Sequence, residues 1–321
     1  MNSSSANLSN PGCGESQVIP SCPQVRERSR FPRLVFLPFM LIAVAASTWG
    51  QAKGAWLGQT PPGETPVAFA SEIFATLSPW VESVDFSPDG KLCLVSVGNA
   101  NYSESRLFYS RSVDGIWSPF KEPPFTAGFK YSTEAVFMAD GKTMQFTGMK
   151  SAGNKDFWTV TYSGKGWGEP VALPAQVNSE SNEFRGSYMK DGTFFFGSER
   201  SGMMQVYRSR KDGTGALTVS LVGPPVSMGS LEGDPCVAPD GSFLVFYSCN
   251  DNKSANLFVS FRDGTGGWGQ AFRLVEGFNT SNDEYGAHLS VDGKYFFFTR
   301  HGKTDNTILW VSVSAIERLK R

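Results

Sequence analysis

Three glutamates stand eight residues before an Asp-Gly pair: Glu183, Glu232 and Glu284. Glu134 comes two positions later in its own unit, Glu82 belongs to the first, and Asp234 lies just beyond Glu232. Carboxylates brought together in this way need a cation such as Ca²⁺, a basic partner, or protonation. Arg185, Lys150, Arg200, Arg300 and His301 are the candidate basic partners. Two chemistries fit such a set. One is ligand binding by Glu134, Glu183, Arg185, Glu232, Asp234, Glu284, Arg200, Arg300 and His301. The other is glycoside hydrolysis by a pair drawn from Glu183, Glu232, Asp234 and Glu284, with carboxyls about 5–5.5 Å apart for retention or about 6.5–9.5 Å for inversion. A recurring glutamate has a structural use as well, since it can bond backbone amides of the neighbouring unit.

The elements that would position these residues follow from the Asp-Gly pairs themselves. Phe86-Ser-Pro-Asp89-Gly90-Lys91 recurs around Asp140-Gly141, Asp191-Gly192, Asp240-Gly241 and Asp292-Gly293, with the aspartates 51, 51, 49 and 52 residues apart. Asp-Gly between apolar runs signals a hairpin turn, because both residues tolerate positive φ. These ten residues are therefore read as structural. Each unit has a short strand ending at Asp-Gly, then an apolar strand ending at a hydroxyl, then a polar loop. A strand centred on Phe108, Trp158, Tyr207, Phe258 or Leu309 follows. A Gly-rich turn then leads to Trp117, Trp167, Leu217 or Trp268, which are 50, 50 and 51 apart and open a fourth strand. Four short strands per unit cannot bury both faces alone, and radial stacking solves this as a β-propeller. The last unit lacks a fourth strand, and Phe69–Leu77 reads as an extra one. It is expected on the outer edge of the last blade, closing a five-bladed, all-β ring without an open edge. Six blades, the alternative, would need a further unit before Trp80.

The chain has 321 residues, a net charge of −1 and 26 Phe. No basic excess points to nucleic acid or to an anionic membrane surface. Arg26, Arg28, Arg30 and Arg33 precede an apolar run, Leu34 to Ala46, and Ala43-Val44-Ala45 offers a small-residue cleavage site. Residues 1–52 are thus read as a polar leader with an export signal or an N-terminal anchor, 53–66 as a turn-rich lead-in and 67–321 as the propeller. An exported, periplasmic or extracellular location is expected, with contact to a membrane only through that leader. Cys93, Cys236 and Cys249 remain in the exported part. Position 236 should face about position 245 across its hairpin, so Cys236 and Cys249 are not expected to pair. No metal-ligand spacing occurs.

The Phe-Ser-Pro-Asp-Gly-Lys motif, with its apolar strand, polar loop and Tyr/Phe/Trp-centred strand, resembles the WD-repeat-like units of TolB-like propellers over about Trp80 to Val313. The resemblance implies a propeller whose Asp-Gly strand lines the central channel, with the turns on one face and the glutamates on the other. Such units serve mostly as binding scaffolds. TolB itself is expected to have six blades, so the five units here depart from it. Only His288 and His301 could serve as histidine bases, and no Gly-x-Ser-x-Gly elbow, Walker loop or zinc spacing is present. The leading expectation is a non-enzymatic exported propeller that binds a protein or small ligand on the glutamate face. The alternative is a five-bladed glycoside hydrolase or carbohydrate-binding propeller.

Overall fold

The computed structural model describes residues 52–138, 140–151, 153–229, 231–249, 254–275 and 277–320. The leader, apart from Ala52, lies outside them. Among the described residues no helix is long and apolar enough to cross a membrane.

The chain begins with strand β1 (Val67–Ala68) and a short helix α1 (Ser71–Phe74). Blade 1 holds β2 (Val81–Phe86), β3 (Leu92–Gly98), β4 (Ser105–Val113) and β5 (Ile116–Trp117). Blade 2 holds β6 (Tyr131–Phe137), β7 (Thr143–Met149), β8 (Asp156–Thr161) and β9 (Val171–Ala172). Blade 3 holds β10 (Glu183–Tyr188), β11 (Phe194–Ser198), β12 (Gln205–Lys211) and β13 (Leu217–Leu221). Blade 4 holds β14 (Glu232–Val237), β15 (Phe243–Ser248), β16 (Asn256–Phe261) and β17 (Phe272–Arg273). Blade 5 has β18 (Asp283–Leu289), β19 (Tyr295–His301) and β20 (Asn306–Ser312), and its fourth strand is β1. The molecule is a five-bladed β-propeller, and helix α2 (Ser314–Glu317) follows the last blade.

The closing strand lies just ahead of the segment that the sequence pointed to. Val67 pairs with Trp310 and Ala68 with Leu309, and Phe69 N–H donates to Ile308 O at 2.8 Å. The strand expected over Phe69–Leu77 stops there, because Ala70 turns to φ +48° and α1 begins. Five residues apart, Phe69 and Phe74 would point to opposite faces of a strand. The helical turn instead sends both rings into one core, 5.8 Å apart. That core joins the last blade to the first: Phe69 lies against Phe86 of blade 1 and against Phe297 and Trp310 of blade 5.

The Asp-Gly turns differ in detail from a two-residue hairpin. The glycines take positive φ, for example +65° at Gly90 and +69° at Gly293, while the aspartates do not. Each Asp instead accepts the N–H two residues on, at 3.0 Å from Lys91 and 2.9 Å from Ser242. Gly90 N–H donates back to Ser87 O at 2.8 Å. Asp acts as an acceptor here, and Gly alone supplies the left-handed residue. The cysteine register is as expected: Cys236 faces Val245, and Cys93, Cys236 and Cys249 are all buried. Trp117 and Leu217 fall in their fourth strands, whereas Trp167 and Trp268 make isolated bridges to Tyr162 and Arg262 ahead of β9 and β17.

Candidate functional site

Four inner strands carry a bulge six residues before the turn aspartate. The residues there are Glu134, Arg185, Asp234 and Gly286, at φ +55°, +30°, +48° and +68°. Only Gly286 adopts such a backbone without strain. The other three are held by bonds between blades. Ser96 Oγ accepts Glu134 N–H at 2.8 Å, Glu134 Oε2 accepts Arg185 N–H at 2.7 Å, and Asp234 Oδ2 accepts Gly286 N–H at 2.7 Å. Arg185 is buried and reaches from blade 3 to blade 5. Its Nε donates to Ala287 O at 3.0 Å and its Nη2 to Gly286 O at 2.9 Å. His288 faces Asp85 across the closing seam at 2.7 Å, and Asp85 Oδ2 also accepts Phe137 N–H at 2.6 Å. The inner layer is therefore polar, and much of its polarity locks blade to blade.

Glu183 and Glu284 are fully buried and form matching clasps. Arg200 Nη2 lies 3.2 Å from Glu183, and Arg300 Nε donates to Glu284 at 2.8 Å. Both glutamates also accept the backbone N–H and the hydroxyl four residues earlier, from Ser179 and Thr280. Glu232 occupies the same position in blade 4, fully buried and opposite Ser248. Lys150 sits over Trp158 at 4.4 Å. The register that made these glutamates conspicuous in the sequence thus places two of them in ion pairs at the blade ends, away from the bulge layer.

A second group gathers around the inner strands. Glu82, Glu134 and Asp234 lie within electrostatic reach of Tyr102, Tyr131, Tyr285 and Tyr247, and of Lys155. Burial pushes the Glu82 carboxyl up to about 7, against hydrogen bonds from Ser105 and Thr133 that lower it. Burial and the neighbouring Glu134 likewise raise Asp234 to about 7, opposed by Arg185 and by the Gly286 N–H. All four phenols are raised, chiefly by burial, so they are neutral. Burial lowers the Lys155 ammonium, whose Nζ lies 3.9 Å from the centre of the Tyr131 ring. His301 stacks obliquely on Trp80 and Tyr102, at 5.3 and 5.1 Å, with Nδ1 2.7 Å from Asn306 Oδ1. Two buried polar atoms on inner strands, Glu82 Oε1 and Arg185 Nη1, have no hydrogen-bond partner among the described residues.

No protein-family model matches the chain, and no curated protein is similar to it. Solved propellers are. TolB from Acinetobacter baumannii is 16% identical, with a TM-score of 0.45 over 71% of this chain and 54% of that one. The chain thus spans about half the length of that protein. A putative TolB from Agrobacterium tumefaciens is 16% identical, with a TM-score of 0.49 over 73% and 78% of the two chains. The catalytic domain of an α-L-arabinofuranosidase from Coprinopsis cinerea is 12% identical, with a TM-score of 0.47 over 81% and 97%. At these identities the likeness is one of fold, and the function has to be read from the side chains.

Sequence reasoning found Glu134, Arg185 and Asp234 but missed the layer they share with Gly286. It also missed Lys155, Tyr102, Tyr131, Tyr247 and Tyr285. The three charged residues do share one register, six before the turn aspartate, and that was the available signal. The tyrosines come from a loop, an inner strand, a second strand and another inner strand, so no spacing links them. Among the described residues no three His, Cys, Asp or Glu side chains are placed to hold a metal ion together.

Proposed function

We propose that this chain is an exported, non-enzymatic propeller that binds an uncharged, polyhydroxylated ligand, of the glycan class, at the tyrosines and carboxyls around the inner strands. The supporting observation is Glu82 Oε1, a buried polar atom with no partner among the described residues, on a carboxyl within electrostatic reach of Tyr102, Tyr131 and Tyr285. Buried polar groups in folded proteins are nearly always satisfied, so such an atom marks a place for a ligand. Neutral phenols and neutral carboxylic acids both donate and accept hydrogen bonds, which suits hydroxyl groups. Aromatic faces beside them suit the C–H faces of a sugar.

Glycoside hydrolysis is the second reading, favoured by one observation. Glu82 and Asp234 are both held toward the protonated form, and a carboxylic acid kept protonated near neutral pH is what serves as the general acid in glycoside cleavage. The inter-blade bonds of Glu134 and Asp234 weigh against it, because they give these carboxylates a structural task.

A thermal-shift screen of the protein against oligosaccharides, with reducing-end release measured in parallel, tests both. Binding raises the melting temperature with ligand excess. The expected result is a rise with one glycan class, no product, and loss of the response in Tyr102→Ala and Tyr285→Ala. A flat response to every glycan removes the proposal. Product formation that disappears in Glu82→Gln replaces it with the hydrolase.

A further inference from the structure

Blade 3 ends in an outer strand unlike those of the other blades. Strand β13, Leu217-Thr-Val-Ser-Leu221, is five residues long, whereas β1, β5, β9 and β17 have two each. It is the last strand of its sheet. Val222 N–H donates to Val206 O, and Asp212 N–H donates to Ala216 O. The bonded pairs of the β12–β13 ladder are therefore Arg208 with Ser220 and Arg210 with Thr218. Residues between bonded pairs of an antiparallel ladder direct their N–H and C=O groups away from the partner strand. Leu217, Val219 and Leu221 thus turn their backbone groups to the outer rim. Natural sheets blunt such edges with short strands, Lys or Pro. The five residues of β13 are uncharged and include no Pro. In blade 1 the outer edge is covered by backbone, since Lys53 bridges antiparallel to Ile116. There Trp117 N–H donates to Ala52 O at 3.0 Å, and Gly54 N–H donates to Gly115 O at 2.8 Å.

The two faces of this edge differ. Leu217 and Val219 pack on a core with Phe157 and Tyr207, and Leu221 continues their row at 42% exposure. Thr218 and Ser220 lie on the other face, opposite Arg210 and Arg208. Arg208 Nε donates to Ser220 Oγ at 3.4 Å, and Arg210 is exposed. Among the described residues neither guanidinium has a carboxylate within ion-pairing distance. Asp212, close by in sequence, is taken up by its own turn, accepting Thr214 N–H at 2.8 Å and Ala216 N–H at 3.1 Å. Burial lowers the Arg208 guanidinium, and its neighbours Arg210 and Arg262 lower it further. Like charges left together in this way attract an anion. We propose that the outer edge of blade 3 takes up an extended acidic segment of a partner protein as a fifth, antiparallel strand. The backbone of that segment pairs with Leu217, Val219 and Leu221. Its side chains alternate: those beside Thr218 and Ser220 are Asp or Glu and meet Arg210 and Arg208, and those beside the leucines and Val219 are apolar. A second copy of this chain fits worse, because pairing β13 with itself brings both copies of Arg208 and Arg210 to one face. This surface does not depend on the glycan reading.

Calorimetric titration of the full chain with the acetylated, amidated peptide Val-Glu-Val-Glu-Val tests the assignment. The expected result is saturable one-to-one binding, about fivefold tighter than that of Val-Ser-Val-Ser-Val, the worth of two exposed ion pairs. Added salt should narrow that difference. Methylating the nitrogen of the central valine keeps the peptide's charges, removes a bond to the edge, and should weaken binding about tenfold. Val219→Pro removes the facing donor from the protein. Its N–H points outward, so the ladder to β12 stands, and binding should weaken to a similar extent. Arg210→Glu should erase the preference for the acidic peptide. No saturable binding in wild type overturns the proposal. So does equal affinity for the two peptides, or a methylated peptide that binds as its parent does. A Val219→Pro or Arg210→Glu protein that folds and responds as wild type does overturns it as well. A dimer in sedimentation that Val219→Pro dissolves replaces the acidic partner with a second copy.

Discussion

Burial sets the ionisation of Glu82 and Asp234, and this makes stability depend on pH in a definite direction. Both carboxyls are raised to about 7, so the folded protein keeps two protons that the unfolded chain releases near pH 4. Below about pH 4 both states are protonated and the groups contribute no difference. Between about pH 4 and 7 the unfolded chain is favoured as pH rises, because only it ionises freely. The loss is on the order of 3 kcal/mol for each group. Asp240 pulls the opposite way, since hydrogen bonds from Ser242 hold it below its ordinary value, and its contribution is lost in acid. Urea unfolding should therefore show a midpoint that falls from pH 5 to pH 8. Glu82→Gln retains an acceptor for Ser105 and Thr133 and should flatten that fall by about half. An unchanged slope in Glu82→Gln would show that the carboxyl is ionised throughout. The glutamates most conspicuous in the sequence, Glu183 and Glu284, were legible as a register but not as a role. Whether a repeated carboxylate meets an arginine or a ligand depends on residues some sixteen positions away, across a hairpin.

Among the elements, the inner strand and its turn carry the site, and glycine acts differently at its two ends. Gly293 turns at φ +69° with open space around it, whereas Gly286 bulges at φ +68° with Thr299 Oγ1 only 3.1 Å from where a Cβ would lie. Gly293→Ala should cost about 1 kcal/mol from backbone strain alone. Gly286→Ala adds that contact and disturbs the N–H held by Asp234, so chemical denaturation should show a larger loss, about 2–3 kcal/mol. Equal losses would mean that the bulge relaxes freely. The turn was readable in the sequence because Asp-Gly is a local device. The bulge was not, since Glu134 and Arg185 are poor left-handed residues by local preference. Bonds from the adjoining blade hold them there.

For the whole molecule, closure of the ring depends on the segment before blade 1. Trp117 Nε1 donates to Gly54 O at 2.8 Å on the outer edge of blade 1, and β1 pairs with β20 on the outer edge of blade 5. Between these ties, Trp56 packs on Phe86 of blade 1 and Tyr295 of blade 5. Phe69 is fully buried at the same seam. Phe69→Ala should cost about 3–5 kcal/mol, more than the same change at half-buried Phe261. Loss of the seam should also appear first in hydrogen exchange at β1 and β20. If the two variants unfold at the same urea concentration, the seam is not the closing element.

By itself the sequence determined the period, the number of blades, the glycine turns and the closing of the last blade by an N-terminal strand. These follow from local turn chemistry and from the apolar pattern, both written within about fifty residues. The tertiary structure decided where that strand stops, because Phe69 and Phe74 had to reach a core shared by the first and last blades. It also decided which carboxylates face arginine and which gather with the tyrosines. Those outcomes depend on the burial of charges and on contacts between blades, and the register of a single repeat does not encode them.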